Sequence, residues 1–443
     1  VYALPFIIIG SVFLILKSFP IPAVSTFFDN IGWSVFFNQA YQTTFAIISI
    51  WTAVGIAYVY AKNEKLEPLP VGLTSLSVFF LLQKLQVDAP LVGAMAKGGS
   101  GITDAAGKTL YTSSQLAHQI SQLPDAIQTY LKSPVTNVIN MTWLGGQGMI
   151  AAILCGLLVG WTYTLMAKAG WEIKLPEQVP ANVANQFSAM IPSGVIITVA
   201  MVIYAIFDKA LNTDLLNWIY KTLQIPLQGL SDSLGGGIIL AFMVVFFWFF
   251  GVHGGLIMGG IGGAFLLPNS ADNARLLAEG KLSLENGAHI VTNEFYNNFI
   301  NLTGSGITIG LVIFTLVGAK SVQFKSIGKV ELVPALFNIN EPFLFGLPLV
   351  MNPWLAIPFF LTPVVVALST YLVIKFGIVP PTGVAAPWTT PAVISGFFIG
   401  GWKMALWQAC VLAISTAIYW PFAVKYDKYL KEQEDANVAT DAQ

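Results

Sequence analysis

Two ionisable side chains stand isolated in apolar sequence. Glu341 is the only charged residue between Glu331 and Lys375, and His253 is the only ionisable residue between Asp232 and Asp272. A carboxylate placed in hydrocarbon costs several kcal/mol unless it meets water or polar partners. Glu341 also sits in Asn340-Glu341-Pro342, where Pro342 stops a helix from running straight through. This combination predicts an acceptor at the tip of a re-entrant turn. The bland alternatives are a carboxylate that caps a neighbouring helix or pairs with Lys403. Gly251, Gly254 and Gly255 flank His253 and would let a ligand or another backbone come close. His118 and His289 lie in polar stretches and attract no such reading. Trp248, Trp354 and Trp388 flank the isolated polar positions. Sugar rings offer apolar C–H faces to aromatic rings, while their hydroxyls need paired donors and acceptors. Carboxylate, imidazole, Asn340 and tryptophan together therefore suit a saccharide pocket. Most of the 12 tryptophans read equally well as interfacial belt residues.

The elements that must position these groups are set by composition. Of 443 residues 10% are charged and 55% hydrophobic, and mean hydropathy is +0.71. A soluble exterior could not be built with so few charges, and disorder is excluded by the same numbers. Arg275 is the one arginine and there is no basic stripe, so nucleic acid is excluded as a partner. What remains is an all-α polytopic membrane protein. Charge-free stretches run from Asp29 to Lys62, Lys132 to Lys168, Glu177 to Asp208, Asp232 to Asp272, Glu294 to Lys320, Lys375 to Lys403 and Lys403 to Lys425. With the opening segment and Pro68–Gln83 they predict nine or ten helices. The apolar opening has neither the charged start nor the cleavage site of a signal peptide, and its missing polar flank predicts that the native chain begins upstream. Lys62, Lys65, Lys168, Lys174 and the lysines of the tail place both termini in the cytoplasm by the positive-inside rule.

Lys84–Ser133 is polar and reads as a small hairpin followed by a surface helix over Ser113–Leu131. Pro176–Met190 and Asn212–Leu230 read as interfacial helices. The second half differs in having Gly251–Gly263, Asn338–Pro348 and the Pro-rich Phe376–Pro391, where freed backbone groups need a protein or water-filled surrounding. Such interruptions are where transporters place binding sites. Residues 1–210 are thus expected to be scaffold, 211–430 the working domain and 431–443 a tail. Cys155 and Cys410 lie in apolar stretches with no ligand spacing and are read as packing residues. No metal site, phosphate loop or nucleophile elbow is present in the pattern.

Val252-His253-Gly254, Asn340-Glu341-Pro342 with Phe345-Gly346-Leu347-Pro348, and Pro387-Trp388-Thr389-Thr390-Pro391 resemble the enzyme IIC component of the bacterial sugar phosphotransferase system. Within that family the likeness is to the lactose/cellobiose/chitobiose branch, nearest its N,N′-diacetylchitobiose members. The resemblance implies an inner-membrane homodimer with ten transmembrane helices per subunit and two re-entrant hairpins. It also implies that the first half makes the dimer contact and the second holds the sugar. A β-linked disaccharide (N,N′-diacetylchitobiose or cellobiose) would be taken up and phosphorylated on a terminal 6-hydroxyl. The donor would be a phosphocysteine on a separate IIB protein, and no cofactor is implied. Glu341 and His253 would be the catalytic pair, and Asn340, Trp388, Trp248 and Trp354 would bind the substrate. Gly304-Ser305-Gly306 carries over less well, because Leu302-Thr303 precede it where another glycine is expected. The rival from the residues alone is a proton-coupled secondary sugar transporter in which Glu341 and His253 carry protons.

Overall fold

The computed structural model describes residues 3–441 apart from 88, 90–91, 93–94, 96–101, 104–108, 174, 177–180 and 348. The chain opens with α1 (Leu4–Lys17), α2 (Pro22–Asn30) and α3 (Trp33–Gln42), followed by α4 (Ile48–Asn63) and α5 (Pro68–Leu81). Proline in the first turn starts α1, α2 and α5, where its missing N–H has no helical partner to lose. The polar stretch then forms two antiparallel strand pairs: Gln86–Val87 with Val135–Thr136, and Ile102–Thr103 with Thr109–Tyr111. The expected hairpin is therefore present, and part of its turn lies outside the described residues. The surface helix is split into α6 (Ser113–Ser121) and α7 (Asp125–Lys132), because Pro124 bars helical backbone at Leu123. Thr112 and Gln115 form a capping box at the start of α6.

Among the described residues five helices are long and apolar enough to cross a membrane, or seven if two bent pairs count as one span each. The bent pairs are α1 with α2, at 90°, and Leu215–Ser231 with Leu234–Phe249, at 71°. That strict figure falls below the nine or ten stretches read from charge spacing, because several are broken by turns. α8 (Met149–Lys168) and α9 (Ala181–Ala210) are continuous. The described part of Pro176–Met190 is thus no separate interfacial helix. No glycine or proline interrupts 181–191, so the helix propagates into the span. α10 (Leu215–Ser231) carries a π-helical turn and hands over to α11 (Leu234–Phe249) through the Ser233 cap. Leu158, Trp161, Val199 and Ile239 are exposed on these spans. They form the outward apolar surface that lipid, and not water, accommodates.

Among the described residues most buried apolar side chains fall into two clusters. One gathers residues from Ala53 to Ile219. The other joins Leu240–Leu430 to Ile7, Leu14, Tyr41, Phe45 and Ile48. The first helix therefore packs against the second half of the chain, and the backbone N–H of Ala385 donates to Ser11 Oγ at 3.2 Å. The glycine-rich run is irregular only around Gly251–His253, and from Gly254 it is helical as α12 (Gly254–Ala278). A side chain at Gly254 would put its Cβ 1.9 Å from the Val244 carbonyl, so glycine is what lets α12 start against α11. α13 (Ile309–Val317), α14 (Val322–Leu336), α15 (Glu341–Gly346) and α16 (Ala356–Lys375) follow. α17 (Ile394–Asp441) kinks at Gly400–Gly401 and continues through the segment expected as a tail.

His289 locks three of these elements together from the loop before residue 293. Its Nδ1 lies 2.9 Å from Asp232 Oδ2 and its Nε2 lies 3.6 Å from Asp272 Oδ2. Asp232 Oδ1 also accepts the N–H groups of Ile290 and Val291. Burial alone would lower the imidazole pKa, but the two carboxylates outweigh it and hold it at about 9. A folded value above the usual 6.5 means that the imidazolium stabilises fully below about pH 6.5 and loses its contribution as pH rises through about 9. The contribution is on the order of 3 kcal/mol. The thermal midpoint of the solubilised protein is therefore expected to fall between pH 6.5 and 9, and His289→Gln to remove that part of the fall. A midpoint that follows the same pH curve in the variant would contradict the lock.

Candidate functional site

Three breaks in the helices meet at one place. The first is the loop 301–308, where Thr303, Gly304, Gly306 and Ile307 all have positive φ. The second is the turn between α14 and α15, where Asn338 has φ 64°. The third is the extended Pro-rich segment that ends at Val393, with φ 71°. Left-handed backbone at a β-branched residue such as Thr303, Ile307 or Val393 costs of order 1–3 kcal/mol and persists only where surroundings enforce it.

Two asparagines supply that enforcement. Asn338 Oδ1 accepts the N–H of Thr303 at 2.6 Å. Its Nδ2 donates to the carbonyls of Trp388, at 2.6 Å, and Thr390, at 3.0 Å. Asn340 Nδ2 donates to the Ser305 carbonyl at 2.7 Å and to Thr308 Oγ1 at 3.0 Å. Gly304 makes room for this: a Cβ there would sit 2.3 Å from the Asn340 side chain. Each amide thus satisfies backbone groups that a membrane interior could not. Further down, Gln408 Oε1 accepts the N–H groups of Val393 and Gly396, while its Nε2 donates to the Asn298 carbonyl. Thr292 and Thr382 share a hydroxyl contact at 2.8 Å.

Glu341 is the first residue of α15, immediately after the bolted Asn340. Among the described residues it has no ion pair, so the alternative of a pair with Lys403 is not realised. Its Oε2 is buried and has no hydrogen-bond partner. His253 caps α12: its Nδ1 accepts the N–H of Leu256 at 3.1 Å. In the neutral ring that leaves the proton on Nε2. Trp248 lies against the imidazole, with ring centroids 4.2 Å apart and planes 43° apart. The Trp248 indole N–H is itself buried and unpaired.

His253, Glu341, Asn340, Trp248 and Trp388 line one cavity of about 510 Å³. This lies within the roughly 300–1,000 Å³ range of small-molecule pockets. Glu341 and His253, 88 residues apart in the chain, therefore face a common space. Trp388 is half exposed at its edge, at 49%. Trp354 is not there: it stacks on Tyr426 and Tyr429, at 6.2 and 5.1 Å between centroids, on the side of α17. Its place follows from the turn at 351–355, where Asn352 Oδ1 takes the Trp354 N–H and aims the ring at the C-terminal helix. Tyr296, Asn301 and Ser305 also line the cavity, and the Tyr296 hydroxyl donates to the Gly255 carbonyl beside His253. A more apolar space of about 830 Å³ adjoins it along α4. Among the described residues no group of three or more His, Cys, Asp or Glu side chains could hold a metal ion.

Sequence reasoning missed Asn338, Tyr296 and Asn301. For Asn338 a signal existed, since asparagine is the non-glycine residue that best tolerates positive φ. Tyr296 and Asn301 sit at a π-helical turn that no sequence pattern announces.

Residues 1–363 match the family model described as "Phosphotransferase system, EIIC". The chain is 32% identical to the lichenan permease IIC component of Bacillus subtilis (strain 168), over 98% of this chain and 89% of the relative. It is also 32% identical to the cellobiose-specific EIIC component of Geobacillus stearothermophilus, over 99% and 90%. Among solved structures it resembles the transporter ChbC, the IIC component of the N,N′-diacetylchitobiose-specific phosphotransferase system. That match has a TM-score of 0.84 and 31% identity, covering 98% of this chain and 93% of the other. With a fold of membrane helices and broken segments shared along its length, the chain belongs to the EIIC family of the phosphotransferase system.

Proposed function

We propose that this protein is an inner-membrane permease that takes up a β-linked disaccharide, N,N′-diacetylchitobiose or cellobiose, and presents its terminal 6-hydroxyl for phosphorylation. The observation that carries the reading is the meeting of Glu341 and His253 in one cavity with Asn340, Trp248 and Trp388. The named specificities of the relatives, lichenan, cellobiose and diacetylchitobiose, support a β-glycoside. The family resemblance further supports a homodimer with cytoplasmic termini, a scaffold over residues 1–210 and a sugar-holding domain over 211–430.

The chemistry follows from the donors and acceptors. A sugar hydroxyl donates one hydrogen and accepts others. The Glu341 carboxylate, lining the cavity with no ion pair among the described residues, takes the 6-hydroxyl proton. His253 Nε2–H donates to the same oxygen while Nδ1 stays bound to the Leu256 N–H. The sugar O6 attacks the phosphorus of a phosphocysteine on a IIB protein, the S–P bond breaks, and the O6 proton passes to Glu341. The transition state of phosphoryl transfer is loose, so alignment contributes more than base strength. Trp388 packs on a sugar C–H face, and Asn340 holds the turn.

Glu341→Gln is expected to keep sugar affinity within a few-fold and to lose about 10²-fold or more in IIB-dependent transfer. Normal transfer by that variant in membrane vesicles would refute the role. His253→Ala is expected to weaken both binding and transfer by about tenfold, but it also removes a helix cap worth about 1 kcal/mol. His253→Asn, which keeps a capping oxygen, separates the two effects: it should restore stability but not affinity. Unchanged affinity in both variants would remove His253 from the site. Free sugar accumulating inside vesicles, with uptake abolished by dissipating the proton gradient, would favour the proton-coupled transporter instead.

A further inference from the structure

The cavity is longer than its reactive end. Beyond Glu341 and His253 it runs between α12 and a short helix built from an α-turn, Asn293–Phe295, and a π-turn, Tyr296–Ile300. Asn293, Asn297 and Asn301 all line it. In an α-turn residue i+4 passes one full turn by about 40°, and in the wider π-turn it stops short of one. The two deviations offset each other here, so the three asparagines form a straight rail. The protein uses only one end of it. Asn301 Oδ1 accepts the Ser305 hydroxyl at 3.0 Å, and its Nδ2 donates to the Tyr296 carbonyl at 3.2 Å. The side-chain amides of Asn293 and Asn297 are partly buried and have no hydrogen-bond partner among the described residues. Each offers donors and acceptors at once, as adjacent hydroxyls or an acetamido group require.

The facing wall is smooth. Gly255, Gly259 and Gly263 of α12 line the same space. α12 runs antiparallel to the rail. Gly255 lies beside Ser305 and Gly259 beside Tyr296, where a Cβ would sit 3.9 and 3.6 Å from the two hydroxyls. Further along, Ser270 Oγ accepts the Asn293 N–H at 2.9 Å. The groove is therefore straight, with free amides along one side and bare helix backbone on the other. Pyranoses joined through equatorial bonds make a straight ribbon with C–H faces and hydroxyl edges. Four helical residues advance by about 6 Å, close to the advance of one ring in such a ribbon.

We propose that Asn293 and Asn297 bind the edge of the second sugar ring while Gly259 and Gly263 carry its face. This rail makes the site select an extended β-linked disaccharide over a monosaccharide or a bent α-linked one. The proposal rests on the reading that the first ring presents its 6-hydroxyl to Glu341 and His253.

Binding to the purified protein, without IIB, tests it with cellobiose, N,N′-diacetylchitobiose, the two corresponding monosaccharides and α-linked maltose. The wild type should bind a β-disaccharide at least about tenfold more tightly than its monosaccharide or maltose. Asn297→Leu keeps the bulk and removes the hydrogen bonds. It should weaken that disaccharide by about five- to tenfold, as should Asn293→Leu, with the monosaccharide held within about twofold. Gly259→Ala tests the floor in a variant that the packing admits, since its Cβ would meet the Tyr296 hydroxyl at 3.6 Å and alanine suits a helix better than glycine. It should give the same loss confined to the disaccharide. In IIB-dependent transfer the asparagine variants should raise KM for the disaccharide and keep kcat within about threefold. Equal losses for disaccharide and monosaccharide, or no loss in Asn297→Leu and Gly259→Ala, would overturn the proposal, as would maltose bound as tightly as the β-disaccharide. Normal transfer by Glu341→Gln would remove the 6-hydroxyl from that acid without changing the difference between one ring and two, so the two failures are read apart.

Discussion

The site depends on two side-chain amides. Asn338 and Asn340 take up backbone groups from three separate breaks. In a membrane each unsatisfied N–H or C=O costs several kcal/mol. The breaks can therefore exist only together, and together they leave a cavity. Glu341 stands one residue after the second amide, and Trp388 provides the carbonyl that accepts from the first. The positions of both are consequences of the same hydrogen bonds.

Much of this was legible in the sequence, and the reason is the bilayer. Because charge in hydrocarbon is expensive, a lone Glu341 and a lone His253 stand out against their surroundings, and proline and glycine mark where the backbone breaks. The Asn-Glu-Pro and Pro-Trp-Thr-Thr-Pro segments read as parts of one site from the sequence alone. What could not be read depends on contacts between distant parts of the chain. Trp354 has the same local features as Trp388, yet it stacks on tyrosines of the last helix because of a turn set by Asn352. Glu331 looks like one charge of an ordinary amphipathic helix until the packing of α14 hides it. The glycines after His253 looked like a disrupted segment, whereas most are the smooth face of a regular helix.

The packing also sets limits on how the parts can move. The first helix is buried among residues of the second half, and His289 ties α10, α12 and the loop before residue 293 through two carboxylates. In the cluster from Ala53 to Ile219, alanines and neighbouring glycines let helices approach closely, as where Gly156 and Gly160 meet Ile56 and Tyr60. The cavity lies beside α4 of that cluster, and the glycine face of α12 forms the boundary between them. The cavity thus has side chains held by polar networks on one side and smooth helix backbone on the other.

Calorimetric binding of the β-disaccharide and of its analogue lacking the terminal 6-hydroxyl, to wild type and to Glu341→Gln, examines this arrangement most directly. If the acid and the imidazole converge on that hydroxyl, removing it weakens binding to the wild type by roughly tenfold and binding to the variant by much less, since the partner is already gone. An equal loss in both proteins would mean that Glu341 does not meet the hydroxyl, and the carbohydrate would have to lie elsewhere in the cavity.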